Sequence, residues 1–155
     1  MARYVAVVGP GEASADDLAV ARQVGVLLGR AGAVVVTGGL GGVMSAACEG
    51  ATSVGGLTVG LLPGDDRAAA NPFVRVAVPT GLGEARNALV VRCADALVAV
   101  GSSWGTLSEV ALACRRGVPV VALSGWRVLD VDGREVPGVR RADSAADAVR
   151  LALRD

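Results

Sequence analysis

The chain has no histidine and no lysine, only 3% aromatic residues, and three cysteines without paired spacing. Without histidine there is no His-based triad, no His-bound zinc and no imidazole acid–base catalysis. Without lysine there is no Schiff base on a side-chain amine and no P-loop lysine; all 15 cations are arginines. Cys48, Cys93 and Cys114 fall in or beside helical apolar patterns, and an odd number without a CxxC pair is expected of reduced, buried thiols in a cytoplasmic protein. No apolar run reaches the ~18 residues of a membrane span, so no membrane partner is expected. The first apolar run is short and leads straight into a glycine-rich turn, unlike a secretory leader. Formal net charge is +0, with neither a basic run nor an aromatic platform, so nucleic acid is not an expected partner.

What the chain has instead is small aliphatic residues and glycine. Hydrophobic residues make up 52%, and Gly accounts for 22 of 155, about twice the ordinary ~7%. That length suits one domain, residues 1–155, with a core of Val, Leu and Ala. The stretch from Ala94 to Ala113 organises the rest. Ala96 to Val100 is a wholly apolar run, as expected of a strand covered on both faces. Gly101-Ser102-Ser103-Trp104-Gly105-Thr106 then turns the chain. Leu107, Val110, Ala111 and Cys114 recur at i, i+3, i+4 and i+7, the stripe of an amphipathic helix, with Glu109 off that stripe. A strand, a small-residue turn and a helix N-terminus together form an anion site, because unpaired N–H groups and the positive helix end point at the turn.

The same rhythm recurs along the chain. Tyr4 to Val8 reads as a strand ending in Gly9-Pro10-Gly11, and Ser14 as the N-cap of a helix reaching about Arg30. Ala33 to Val36 is a second strand, Thr37-Gly38-Gly39-Leu40-Gly41-Gly42 a second glycine turn, and Val43 onward a helix to about Gly55. Strands follow at Leu57 to Leu62, at Val74 to Val78 near an edge, and at Val118 to Leu123. Glu84 and Ala85 open a helix with Arg86 and Asn87 in its first turn. Asp132-Gly133 reads as a hairpin tip, and Ser144 as the cap of a last helix. Alternating strands and helices predict an α/β fold, a doubly wound parallel sheet in a Rossmann-like three-layer domain. Its turns at Gly9, Gly38 and Gly101 should meet at the carboxyl edge, where such sheets bind ligands. A dinucleotide fingerprint is missed: Gly9 to Ser14 reads GxGxxS, and the second strand ends in Thr37 rather than an acid.

Four segments taken together carry a more specific resemblance. They are Thr37 to Met44, Gly55 to Gly64, Ala85-Arg86-Asn87, and Gly105-Thr106-Leu107-Ser108-Glu109. Their order and spacing resemble the Rossmann-like family of molybdenum cofactor carrier proteins and Lonely Guy phosphoribohydrolases, and lie nearest the carrier-like branch. The resemblance implies binding of a phosphorylated nucleotide-like or pterin-like small molecule. The molybdenum cofactor or a nucleotide would be the bound ligand, and no other cofactor is required. The ligand residues it implies are Gly9, Gly11, Gly38, Gly39, Gly41, Gly42, Met44, Arg86, Asn87, Gly101, Ser102, Ser103, Gly105, Thr106 and Glu109. No metal ligand is among them. The alternative it implies is hydrolysis of the N-glycosidic bond of nucleoside 5′-monophosphates, with Arg86 orienting the phosphoribosyl group and Glu109 stabilising the oxocarbenium ion or positioning water. Here Asn87 replaces the lysine of that branch, and Gly101-Ser102-Ser103 replaces its Pro-Gly-Gly. Some relatives have carried a lysine decarboxylase label, which a chain without lysine does not support. Family members pair through helices beside the site, and Leu89, Val90 and Val91 spread apolar surface around one such helix. A homo-oligomer, dimer or tetramer, is therefore expected.

Overall fold

Five runs of valine, leucine and alanine determine the architecture, since each is too apolar to leave a face in water. A computed structural model describes residues 1–154 and leaves only Asp155 of the expected domain outside the described residues. The elements run β1 (Tyr4–Val8), α1 (Ala15–Arg30), β2 (Val34–Thr37), α2 (Val43–Ser53), β3 (Thr58–Leu62), β4 (Val76–Pro79), α3 (Arg86–Arg92), β5 (Ala96–Val100), α4 (Trp104–Arg116), β6 (Val120–Leu123), β7 (Val139–Arg141) and α5 (Ala145–Ala152). Short 3-10 turns lie at Arg67–Ala69 and Gly83–Ala85. All neighbouring strands pair in parallel in the order β4-β3-β2-β1-β5-β6-β7. The sequence runs one way from β1 to β4 and the other way from β5 to β7. The switch point therefore lies between β1 and β5, in register at Val7 opposite Val98.

Strand alternation divides the core in two. Val5, Val7, Val35, Val98 and Val100 face α1, α2 and α5, while Ala6, Val8, Val36, Leu97 and Ala99 face α3 and α4. Both faces of β2, β5 and β6, and of β1 beyond Tyr4, are covered, and the edge strands β4 and β7 show exposed positions. The fourth strand is indeed at an edge, shifted from Val74–Val78 to Val76–Pro79. A seventh strand, β7, has no counterpart in the sequence reading. Val139-Arg140-Arg141 lacks any strand pattern and is held in the sheet by pairing with β6. The hairpin expected around Asp132-Gly133 is present as one antiparallel bridge between Leu129 and Glu135. Ser14 and Ser144 cap α1 and α5, accepting from the backbone N–H groups of Asp17 and Asp147.

Three expectations need physical correction. Cys93 is exposed, whereas Cys48 is buried; the former follows the last turn of α3, on the side away from the sheet. Val90 and Val91 are fully buried within one subunit, so the apolar circumference of α3 is already covered by its own sheet and by α4 and does not itself call for a partner. Glycine, finally, is not confined to turns. A Cβ at Gly25 of α1 would overlap the Ala47 carbonyl oxygen of α2, and one at Gly50 of α2 would overlap the Arg22 carbonyl oxygen of α1. These two helices pack backbone against backbone, which brings the α2 N-terminus close over the edge of β1.

That contact yields a stability prediction. Gly25→Ala gains about 1 kcal/mol of helix propensity, but the methyl meets main chain that moves only if the helices part. A net loss of about 1–3 kcal/mol in urea denaturation is expected. Gly11→Ala, where a Cβ meets nothing within 4 Å, should change stability by less than about 0.5 kcal/mol.

Candidate ligand-binding site

The turns after β1, β2 and β5 converge on the carboxyl edge of the sheet, as parallel strand register requires. Each glycine there has its own role. Gly9 packs inward, where a Cβ would overlap the Val100 carbonyl oxygen and lie 2.6 Å from Val43 Cγ1. Gly42 adopts φ 64° as the N-cap of α2, a conformation that L side chains rarely adopt, with the Pro10 carbonyl accepting from Val43 N–H at 3.1 Å. Gly41 and Gly11 face open space. The first turn of α2 leaves the N–H groups of Met44 and Ser45 without intrahelical acceptors.

The second glycine turn is fastened by Asn71, from the loop between β3 and β4. Asn71 donates from its backbone N–H to the Gly39 carbonyl at 2.9 Å and from Nδ2 to the Leu40 carbonyl at 2.9 Å. Thr37 Oγ1 accepts from Gly39 N–H at 3.0 Å, where an acidic residue would sit in a dinucleotide fold. The motif pattern around Asn71-Pro72 signals a turn but cannot show that its amide reaches back across the sheet edge.

Arg86, Gly38 and Met44 are brought together. Arg86 is the first residue of α3, and its guanidinium fills the space that a side chain at Gly38 would need, with Met44 Sδ beside it. The buried Arg86 Nε has no hydrogen-bond partner. Glu109 lies in the second turn of α4 and is only 8% exposed, on the buried face with Thr106 and Ala113. The expected stripe of Leu107, Val110, Ala111 and Cys114 is not the buried one: Ala111 is exposed and the others are partly so. Close approach of α4 to the sheet selects the smaller Thr106 and Ala113 for contact, and Glu109 is carried in between them.

Burial disfavours both charged forms, more strongly at Glu109 than at the partly buried Arg86. Glu109 is raised from 4.5 to about 7 by desolvation, with the nearby Arg86 pulling the other way, and Arg86 is lowered by its own burial. Asn87 Nδ2 donates to Ser108 Oγ at 3.2 Å, and Ser108 donates to the Gly105 carbonyl at 2.6 Å, which ties α3 to the start of α4. Among the described residues no group of three His, Cys, Asp or Glu side chains could hold a metal ion.

The third turn departs from expectation in an informative way. Gly101 alone takes positive φ, at 72°, and neither serine after it does. Ser103 is the N-cap of α4: its Oγ accepts from Thr106 N–H at 3.1 Å and lies 2.9 Å from Thr106 Oγ1. The helix therefore begins at Trp104, earlier than the apolar periodicity indicates. Ser102 Oγ accepts from Trp126 N–H at 2.7 Å. Both serines sit where backbone conformation imposes no strain, and both use their oxygens within the fold.

A doubly wound parallel sheet, with three small-residue turns meeting at its carboxyl edge beside Arg86 and Glu109, defines a Rossmann-like protein. The chain belongs to the SLOG cluster4 family, which it matches over residues 2–149. The molybdenum cofactor binding protein of the phototrophic bacterium Rippkaea orientalis is 38% identical and superposes with a TM-score of 0.89, covering 97% of this chain and 95% of that one. The molybdenum cofactor carrier protein of Chlamydomonas reinhardtii is 31% identical with a TM-score of 0.83, covering 97% and 95%. An uncharacterised protein of Archaeoglobus fulgidus is 39% identical over 132 residues, 81% of this chain and 87% of its own. The carrier-like resemblance in the sequence and these neighbours agree. No described helix is long and apolar enough to cross a membrane.

The pair predicts a pH dependence of stability. The Glu109 carboxyl ionises near 4.5 when unfolded and near 7 when folded, so between these values the folded state holds more protons. Stability therefore falls as pH rises across that window, by an order of magnitude of about 3 kcal/mol in total, and the loss persists above it. Glu109→Gln should flatten the slope. Urea denaturation between about pH 5 and 8 checks this, and equal slopes for the two proteins would refute it.

Proposed function

We propose that this protein binds a phosphorylated pterin of the molybdenum cofactor class, as a carrier, with its anionic end held at the carboxyl edge. The observation that carries this reading is the buried Arg86 Nε without a partner, a cationic donor set beside open glycine turns. An oxyanion supplies the missing acceptor. The first turns of α2 and α4 add backbone N–H groups, the latter around Gly105 and Thr106. Gly41 and Gly11 leave open space for the ligand, Gly38 leaves room for the Arg86 guanidinium, and Asn87, Ser102 and Ser103 shape the far wall. The names of the solved relatives, a cofactor binding protein and a cofactor carrier, support the same class of ligand.

Gly41→Val fills the open space at the second turn while leaving the core untouched, since the nearest atom to a Cβ there is Gly11 O at 3.9 Å. Mass spectrometry of small molecules released from the denatured wild-type protein should show a phosphorylated pterin, and the Gly41→Val protein should release none. Equal release from both would overturn the reading. A second reading, cleavage of nucleoside 5′-monophosphates, is favoured by one observation: a carboxyl raised to about 7 beside an arginine is poised for proton transfer. It requires free base to appear from AMP, GMP, CMP or UMP and to vanish in Glu109→Ala. On the carrier reading none appears.

We further propose a cytoplasmic homo-oligomer, a dimer or tetramer. With α3 satisfied within the subunit, support comes from Leu82, 51% exposed, and from the groove between α3 and α4 lined by Ala85, Ala88 and Leu112. Light scattering at micromolar concentration should give a mass above 15.4 kDa. A monomer would count against it.

A further inference from the structure

Two of the chain's four aromatic residues are tryptophans, and both stand at the carboxyl edge. Trp104 is 78% exposed and Trp126 47% exposed, with ring centroids 5.0 Å apart and planes at 61°. In a protein whose core uses no Trp, an exposed pair in edge contact requires an explanation beyond packing. The backbone of each tryptophan is fixed by the turn after β5. Trp104 lies between the capping Ser103 and Gly105, and Trp126 N–H donates to Ser102 Oγ at 2.7 Å. Gly125, at φ 79°, lets that loop approach, since a side chain there would collide with Ser102 Oγ. Trp104 also borders the groove that holds Asn87, the neighbour of Arg86. Behind Trp126 opens a narrow cavity of ≈ 50 Å³, bordered by the hydroxyl-bearing Ser102, Thr106 and Ser124.

We propose that Trp104 and Trp126 are the heterocycle-binding wall of this site, stacking the planar nitrogen-containing ring of a ligand whose phosphate the glycine turns hold. This rests on the phosphate reading above and adds the part of the ligand that the turns leave unrecognised. Indole faces stack any planar heterocycle, and the edge contact between the two rings limits their motion, so the wall is preorganised. Ser102 is then a positioning residue, and the serines that depart from a glycine motif are the means by which this turn carries its aromatic wall.

The two tryptophans are the only ones in the chain, so fluorescence excited near 295 nm reports on this wall alone. The probes are GMP, whose purine shares the 2-amino-4-oxo edge of a pterin, and ribose 5-phosphate, which has no ring to stack. Calorimetry should find both bound by wild type, with quenching by GMP only. Trp104→Ala and Trp126→Ala should weaken GMP by about tenfold or more, Trp104→Phe by less, and leave ribose 5-phosphate unchanged. Equal GMP affinity in wild type and both alanine variants overturns the proposal, as does a parallel loss of ribose 5-phosphate. Ribose 5-phosphate bound without GMP overturns the wall and leaves the phosphate reading standing. GMP bound and quenching without ribose 5-phosphate does the reverse, and binding of neither overturns both. A smaller assembly for Trp104→Ala with unchanged GMP affinity marks the pair as a subunit seam and also overturns it.

Discussion

A guanidinium and a carboxyl withdrawn from water, on adjacent helices over one sheet edge, set the terms for the rest of the site. Glu109 is carried into the α4–sheet contact by the small residues around it, and burial disfavours its ionised form. It therefore neutralises Arg86 incompletely. Arg86 in turn leaves Nε unpartnered and stands at the first residue of α3, where the partial positive charge of the helix end disfavours a cation. Three unfavourable features share one remedy, an anion at the guanidinium. Such an anion would also favour the protonated form of Glu109, since a second negative charge nearby disfavours its ionisation. On the proposed reading, binding of such an anion is coupled to proton uptake by Glu109.

Glycine makes that arrangement sterically possible at several levels. Gly38 gives the guanidinium its place, Gly42 turns the chain into α2, and Gly25 and Gly50 draw α1 and α2 together. The last of these acts at a distance. Because α1 and α2 touch through their backbones, the α2 N-terminus is fixed against the β1 turn, where the Pro10 carbonyl receives Val43 N–H. Helix packing on one side of the sheet thereby orients N–H groups at its edge. A core poor in large side chains is the corollary: small residues allow close approach, and close approach positions the turns.

The central strands and the meeting of three turns at the carboxyl edge were legible in the sequence for a single reason. β1 beyond Tyr4, β2, β5 and β6 are buried on both faces, so their apolar character does not depend on any partner's identity, and the turns after β1, β2 and β5 follow from strand direction. What escaped depends on contacts distant in sequence. β7 owes its existence to β6, Asn71 reaches back to the turn after β2, and Trp104 meets Trp126 edge-on. Glu109 escaped for another reason. A helical stripe identifies the most apolar face, whereas α4 turns its smallest face to the sheet.

The turn after β5 shows how a motif can lose its residues and keep its geometry. A glycine is indispensable only where φ is positive or where a Cβ would collide, and of Gly101-Ser102-Ser103 only Gly101 meets either condition, with φ 72° and Asp17 Oδ2 2.8 Å from where its Cβ would stand. Ser103 has extended φ and ψ, which any residue adopts, so its side chain is free to cap α4. Ser102 likewise exchanges the absence of a side chain for an acceptor that holds Trp126. Each replacement fastens the turn from within rather than loosening it. A turn so fastened presents a fixed surface to a ligand, and fixed surfaces favour binding because little ordering remains to be done when the ligand arrives.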